Sequence, residues 1–196
     1  MTNQQKYSVL RTSQTHPLRI ATLLVGDNGG AVGVTFAPGK RQTIAMTGAW
    51  SRDLTLDLET IKQWGASDLI TLLEPHELEE LEITQLPKQT SDYGIRWHGL
   101  PITDGAAPDA RFLGPWIKLV PTLVNNLRAG QKVLVHCKGG LGRAGTVACL
   151  LLMASDAATD ADDAMAKVRA VRPGAIETQA QEDFLRTRSK PAYGPV

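Results

Sequence analysis

The stretch Val133–Leu152, VLVHCKGGLGRAGTVACLLL, decides the fold, and the rest of the chain reads outward from it. Val133, Leu134 and Val135 form a short apolar run of β-favouring residues, the pattern of a buried strand. The run from Val147 to Met153 is apolar and longer, the pattern of a buried helix. Between them lies Cys137-Lys138-Gly139-Gly140-Leu141-Gly142-Arg143, a cysteine and an arginine separated by five residues. Glycines in a turn from strand to helix permit φ > 0 and let successive N–H groups converge on one point. The helix that follows adds its own free N–H groups and the positive end of its dipole. A negative charge at that point, on sulfur or on a bound oxyanion, is met by these donors and by Arg143. The turn reads as an oxyanion cradle with a nucleophile at its floor, which points to phosphoryl-transfer chemistry.

Composition sets wide bounds around that motif. A chain of 196 residues fits one domain and can bury roughly 70% of its unfolded surface. Hydrophobic content of 42% and charged content of 21% describe a globular protein rather than a disordered one. A net charge of +1 gives no reason to expect nucleic acid or a bulk membrane surface as a partner. No apolar run approaches the roughly 20 residues needed to span a bilayer. Met1–Leu18 is polar and lacks the apolar centre of a signal peptide. Cys137 and Cys149 do not make a disulfide framework, so a reducing cytoplasm is the expected location.

Along the chain, Met1–Pro17 reads as a flexible N-terminal arm, and residues 18–196 as one domain. Leu18–Val25 and Ala31–Phe36 read as a hairpin around Gly26-Asp27-Asn28-Gly29-Gly30. Leu54, Leu58 and Ile61 keep the spacing of a helix face over Leu54–Trp64, with Gly65 as its stop. Asp68–Leu73 and Ile95–Leu100 read as strands. Pro75–Leu81 reads as a brief helix whose Glu77, Glu79 and Glu80, continuing to Glu82, form a solvated acidic face. Phe112, Trp116, Val120, Leu123, Val124 and Leu127 keep helical spacing, with Pro115 and Pro121 expected to bend or interrupt that helix. Thr159-Asp160 caps a further helix running inward through Ala164, Met165, Val168 and Val171. A last helix is expected over about Thr178–Lys190. Strands alternating with helices predict an α/β single domain, with a mostly parallel central sheet flanked by helices and the Cys-x5-Arg loop between strand and helix.

His136-Cys137-Lys138-Gly139-Gly140-Leu141-Gly142-Arg143-Ala144-Gly145 resembles the phosphate-binding loop of cysteine-dependent protein tyrosine phosphatases. Leu100–Asp109 (LPITDGAAPD) and Ala175–Leu185 (AIETQAQEDFL) resemble segments of one dual-specificity branch, the cyclin-dependent-kinase-associated phosphatases. Weaker similarity at Pro38-Gly39-Lys40 and Glu74-Pro75-His76-Glu77-Leu78 extends the likeness from about Thr35 onward. The resemblance implies hydrolysis of phosphotyrosine in proteins, with phosphoserine and phosphothreonine as further substrates, through a cysteinyl-phosphate. It implies a phosphorylated protein substrate and admits a protein kinase as partner. A phosphoinositide or other small phosphoester phosphatase, and a slow-turnover phosphoprotein- or kinase-binding module, are the alternatives.

Each candidate residue then has a role. Cys137 is the candidate nucleophile, Arg143 the planar fork that grips phosphate oxygens, and the N–H groups from Lys138 through Gly139, Gly140, Leu141 and Gly142 to Arg143 the cradle. His136 orients the loop. Lys138 faces the mouth of the pocket and favours an anionic substrate flank. The resemblance places the general acid at Asp104. Asp109 is the rival, with a helix cap as its other reading, and Asp92 a distant third. Relatives carry Ser or Thr where this chain has Ala144, which implies slow turnover; the phosphatases of regenerating liver share that Ala, and Thr146 stands two residues on. Glu177 stands where tyrosine-specific relatives place a water-positioning Gln, and Gln181 is a supporting candidate for that task. Cys149 reads as an inert core thiol. No metal or cofactor is called for, because Arg143 and the loop amides handle the phosphate charge.

Overall fold

The computed structural model describes residues 10–44 and 48–188 of the chain. A five-stranded sheet runs through its centre in the order β1-β2-β7-β5-β6, with β1 at Ala21–Val25, β2 at Gly30–Phe36, β5 at Ala66–Thr71, β6 at Arg96–Gly99 and β7 at Lys132–Cys137. β1 and β2 are antiparallel, as the hairpin requires, while β2–β7, β7–β5 and β5–β6 are parallel. The sheet is therefore mixed, with the parallel portion at its middle. Helices cover both faces: α1 (Leu54–Trp64) and α3 (Leu86–Asp92) on one, α4 (Ala110–Arg128), α5 (Gly142–Ala154), α6 (Ala161–Val171) and α7 (Gln179–Arg186) on the other.

Alternation along β7 divides the core. Val133 and Val135 face the cluster that holds Phe112, Val120 and Val147, while Leu134 faces Leu58, Ile61 and Leu69. A strand whose two faces are both buried reads as a continuous apolar run, which is what Val133–Val135 shows. α1 begins at an Asp53 cap that accepts from the Leu56 N–H. It ends at Gly65, left-handed at φ 90°, a conformation cheap only for glycine.

The structure departs from the sequence reading in four places. α4 runs unbroken from Ala110 to Arg128 although Pro115 and Pro121 lie inside it. Both prolines are exposed, so the carbonyls they leave unbonded face water, while Phe112, Trp116, Val120, Leu123 and Leu127 hold the helix to the core. A two-stranded ribbon, β3 (Arg41–Gln42) with β4 (Trp50–Ser51), forms where no strand was expected. α3 was also unmarked. Glu77, assigned to the solvated face of α2 (Pro75–Glu80), is buried, whereas Glu79, Glu80 and Glu82 are exposed. Of the stretch read as an N-terminal arm, residues 1–9 lie outside the described residues. Arg11 pairs with Trp50 and bonds Ala49 and Ser51, and the His16 carbonyl accepts from Arg52 at 2.7 Å. The expected end of the last helix, at Lys190, also lies outside them.

Candidate active site

The parallel strands β5 and β7 end at the same level, and the loop after β7 opens there. Cys137, the last residue of β7, stands at its base and is 3% exposed. The chain then climbs through Gly140, left-handed at φ 67°, where a Cβ would collide with the Thr35 carbonyl. Only glycine fits, and the turn it makes brings the Gly140 N–H to 3.2 Å from the Cys137 Sγ. α5 starts at Gly142, so Arg143 occupies its first turn and projects back over the loop. Arg172 ties the outside of the loop, donating to the carbonyls of Gly140 at 2.9 Å and Gly139 at 3.0 Å.

Arg143 is 1% exposed and tightly held. Its two terminal nitrogens donate to both oxygens of Glu77, at 2.6 and 2.9 Å, a bidentate pair. Nη1 also donates to the Ile102 carbonyl at 3.0 Å. Burial alone would raise the Glu77 carboxyl, but the Arg143 hydrogen bonds outweigh it and hold the group below its ordinary value. Glu77 is itself fixed by the turn it helps close, accepting from the Glu74 N–H at 2.9 Å. The Arg143 Nε is buried and has no partner. A guanidinium clamped by a carboxylate thus keeps one donor unspent.

Asp104 lies in the loop between β6 and α4, 69% exposed, with Oδ1 2.9 Å from the Arg143 Nη2. It shares a cavity of about 850 Å³ with Cys137, Lys138, Leu141 and Glu177. The rival Asp109 lies outside that cavity. It caps α4, accepting from the Arg111 N–H at 2.9 Å and pairing with the Arg111 side chain, whose hydrogen bond holds its carboxyl below the ordinary value. Asp92 pairs with Lys88 at 2.7 Å on α3. Among the three carboxylates, only Asp104 is brought to the thiol.

The supporting residues sort themselves by their bonds. The Trp97 indole donates to the Thr71 hydroxyl at 2.9 Å, and that hydroxyl lies 2.8 Å from the His136 Nε2. Burial pushes His136 down to about 3, so it stays neutral and acts as a fixed strut under the loop. Lys138 lies at the mouth, 3.6 Å from Glu80. The Gln181 amide accepts from the Glu177 N–H at 2.9 Å and donates to the Ala106 carbonyl at 3.3 Å, a brace between α7 and the Asp104 loop. Glu177 instead faces the cradle, its Oε2 accepting from the Gly142 N–H at 2.7 Å. The Thr146 hydroxyl is spent on the Gly142 carbonyl at 2.9 Å, so it does not replace the hydroxyl missing at Ala144. Burial pushes the Cys149 thiol up to about 12, which suits an inert core residue.

Sequence reading missed Glu77 and Arg172. Glu77 carried one local signal, its place three residues into a helix opened by Glu74-Pro75, but nothing local pointed it at Arg143. No group of three or more metal-ligating side chains occurs among the described residues. No helix among them is long and apolar enough to cross a membrane.

Residues 47–185 match the family model for the PTP-SAK (Swiss Army Knife) protein DSP-PTPase phosphatase domain. Cyclin-dependent kinase inhibitor 3 of Mus musculus is 36% identical over 135 residues, a match covering 68% of this chain and 62% of the mouse protein. Protein tyrosine phosphatase type IVA 3 of Mus musculus is 31% identical over 137 residues, 70% of this chain and 73% of that one. Among solved structures, kinase associated phosphatase (KAP), with its catalytic-site cysteine substituted by serine, superposes with a TM-score of 0.74. It has 27% identity and covers 86% of this chain and 92% of its own.

Proposed function

The chain belongs to the DSP-PTPase family of phosphatase domains, and from that premise we propose that it hydrolyses phosphotyrosine in proteins, and phosphoserine and phosphothreonine more slowly, through a cysteinyl-phosphate on Cys137. The observation that carries the reading is the Arg143 guanidinium, braced from behind by Glu77 with its Nε unspent, in the loop that holds the Cys137 sulfur.

The Cys137 sulfur attacks phosphorus, the ester P–O bond breaks, and Asp104 gives a proton to the departing oxygen. Arg143 and the loop N–H groups hold the non-bridging oxygens as charge builds. Water then attacks phosphorus, Asp104 takes its proton, the S–P bond breaks and phosphate leaves. The incoming phosphate competes with Asp104 for the Arg143 Nη2, so substrate binding releases the acid from its resting ion pair. With Ala144 and Thr146 both unable to offer a hydroxyl to the departing sulfur, the second step limits turnover. Phe36, Ile20 and Trp50 line the cavity and suit an aryl group. Kinase-bound phosphoproteins are the substrates suggested by the likeness to the kinase associated phosphatase.

The test is turnover of aryl phosphates and phosphopeptides by the native chain and three variants. Cys137→Ser abolishes turnover. Asp104→Ala loses on the order of 10²-fold or more on a poor leaving group and far less on a good one. If Asp109→Ala shows that leaving-group dependence instead, the acid is misassigned.

A further inference from the structure

We propose that the groove between Leu10 and Ile44, bordered by Glu80 and Glu82, takes a lysine or arginine side chain that flanks the phosphorylated residue of a substrate peptide, with the phosphatase reading of Cys137 as its premise.

The β3–β4 ribbon and the end of α2 meet beside the Cys137 cavity. The Arg41 N–H donates to the Leu81 carbonyl at 3.0 Å, and Arg11 bonds Ala49 and Ser51, each at 2.9 Å. Ribbon, helix end and the residue after Leu10 are thereby tied together. Between them lies a groove of about 380 Å³ lined by Leu10, Ile44, Glu80 and Glu82. It shares Gln42 and Trp50 with the Cys137 cavity, so the two are continuous. Leu10 is 52% and Ile44 88% exposed, two of the five large apolar side chains left open to solvent among the described residues. Single exposed apolar residues are ordinary, but two that line one groove leading into a candidate active site mark a contact surface.

The charges around the groove name its occupant. Glu80 lies 3.6 Å from Lys138, beyond hydrogen-bond range, and Glu82 is 3.4 Å from Arg41. Both carboxylates are more than half exposed and have acceptor positions to spare. Glu82 also holds the left-handed turn after α2, at φ 56°, where a glycine would be unstrained. A carboxylate stands there against the preference of the backbone. An aliphatic occupant would fill the apolar part of the groove and bring no donor to these oxygens. A lysine or arginine lays its methylene stem on Leu10 and Ile44 and carries its donors to Glu80 and Glu82. Because Glu80 offsets Lys138 at the mouth, a cation there is not repelled. An extended peptide advances about 3.3 Å per residue, so one seated on Cys137 carries its next few residues past Trp50 into the groove.

The experiment measures calorimetric binding to the Cys137→Ser chain of a tyrosine-phosphorylated peptide with alanine flanks, and of the same peptide with one lysine at each nearby position in turn. At least one lysine peptide should bind about fivefold tighter than its alanine parent, with a ratio that shrinks as salt rises. At that position norleucine should gain less and glutamate should lose. The lysine ratio falls towards one in the Glu80→Gln, Glu82→Gln double variant and by about half in Ile44→Ser. All three side chains are exposed, so these variants should fold as the parent does. A ratio near one at every position overturns the groove as a substrate site. So does a ratio unmoved by these substitutions, which would set the lysine against Asp104 or Glu177. Norleucine equal to lysine overturns the choice of a cation. A lysine ratio of one together with a dimer in sedimentation that Ile44→Ser dissolves would give the groove to a second copy of the chain and overturn the proposal. Aryl-phosphate turnover by the native chain separates the two readings. Turnover without a lysine ratio removes the groove alone, whereas a lysine ratio without turnover removes the hydrolase and leaves the groove standing.

Discussion

Arg143 shows how the candidate site is held one side chain at a time. Two of its nitrogens are tied to Glu77, and the third has no partner among the described residues. Removing one partner of a buried pair strands the other charge, which costs more than the pair contributed. Glu77→Ala should therefore destabilise the chain by about 3 kcal/mol in urea unfolding and also depress turnover. A change below about 1 kcal/mol would mean the clamp is not formed. The Cys-x5-Arg spacing was legible because strand, glycine turn and helix start are contiguous, so local rules suffice. Glu77 was not, because an acidic residue among acidic neighbours looks solvated until the fold brings Arg143 to it from 66 residues away. The contacts of Gln181 were hidden for a related reason. Its spacing fitted a helix, but its amide bonds reach Ala106, 75 residues earlier.

At the scale of elements, the Asp104 loop is built from borrowed contacts. Thr178 donates to the Gly105 carbonyl at 3.1 Å, Gln181 to Ala106, and Arg111 bridges Thr103 and Glu74 at 2.7 and 2.9 Å. The position of Asp104 thus depends on the start of α7. Gln181→Ala should lower kcat on a poor leaving group about tenfold while sparing a good one, since misplacing a proton donor hurts only the step that needs it. Equal losses on both would show that the brace serves the Cys137 loop instead. α5, β7 and the capped helices α1 and α6 were readable from apolar period and caps. The β3–β4 ribbon was not, because two-residue strands carry no period. α4 shows the converse, a strong apolar face overriding two prolines whose cost falls on the solvent side.

Over the whole molecule, the buried neutral His136 links folding to pH. Its value near 3 in the folded chain lies below the ordinary 6.5. The unfolded chain therefore binds a proton across that window when the folded chain does not, and stability falls as pH drops through it. The loss between about pH 7 and about pH 5 should be about 2 kcal/mol, and His136→Asn should flatten that slope. An unchanged slope in the variant would place the sensitivity elsewhere. The alternation of strands and helices showed the layered fold from sequence, but the charge balance at the mouth of the cavity, Lys138 against Glu80, is a property of the assembled whole.

The proposed hydrolysis requires the Cys137 sulfur to carry phosphate during turnover. Its most direct test is mass spectrometry of the native chain, acid-quenched at successive times after mixing with an aryl phosphate. A phosphoryl adduct on Cys137 should build up within the first turnover and persist while substrate remains, because its hydrolysis is the slow step. Turnover with no adduct on Cys137, or with the adduct on another residue, would contradict it.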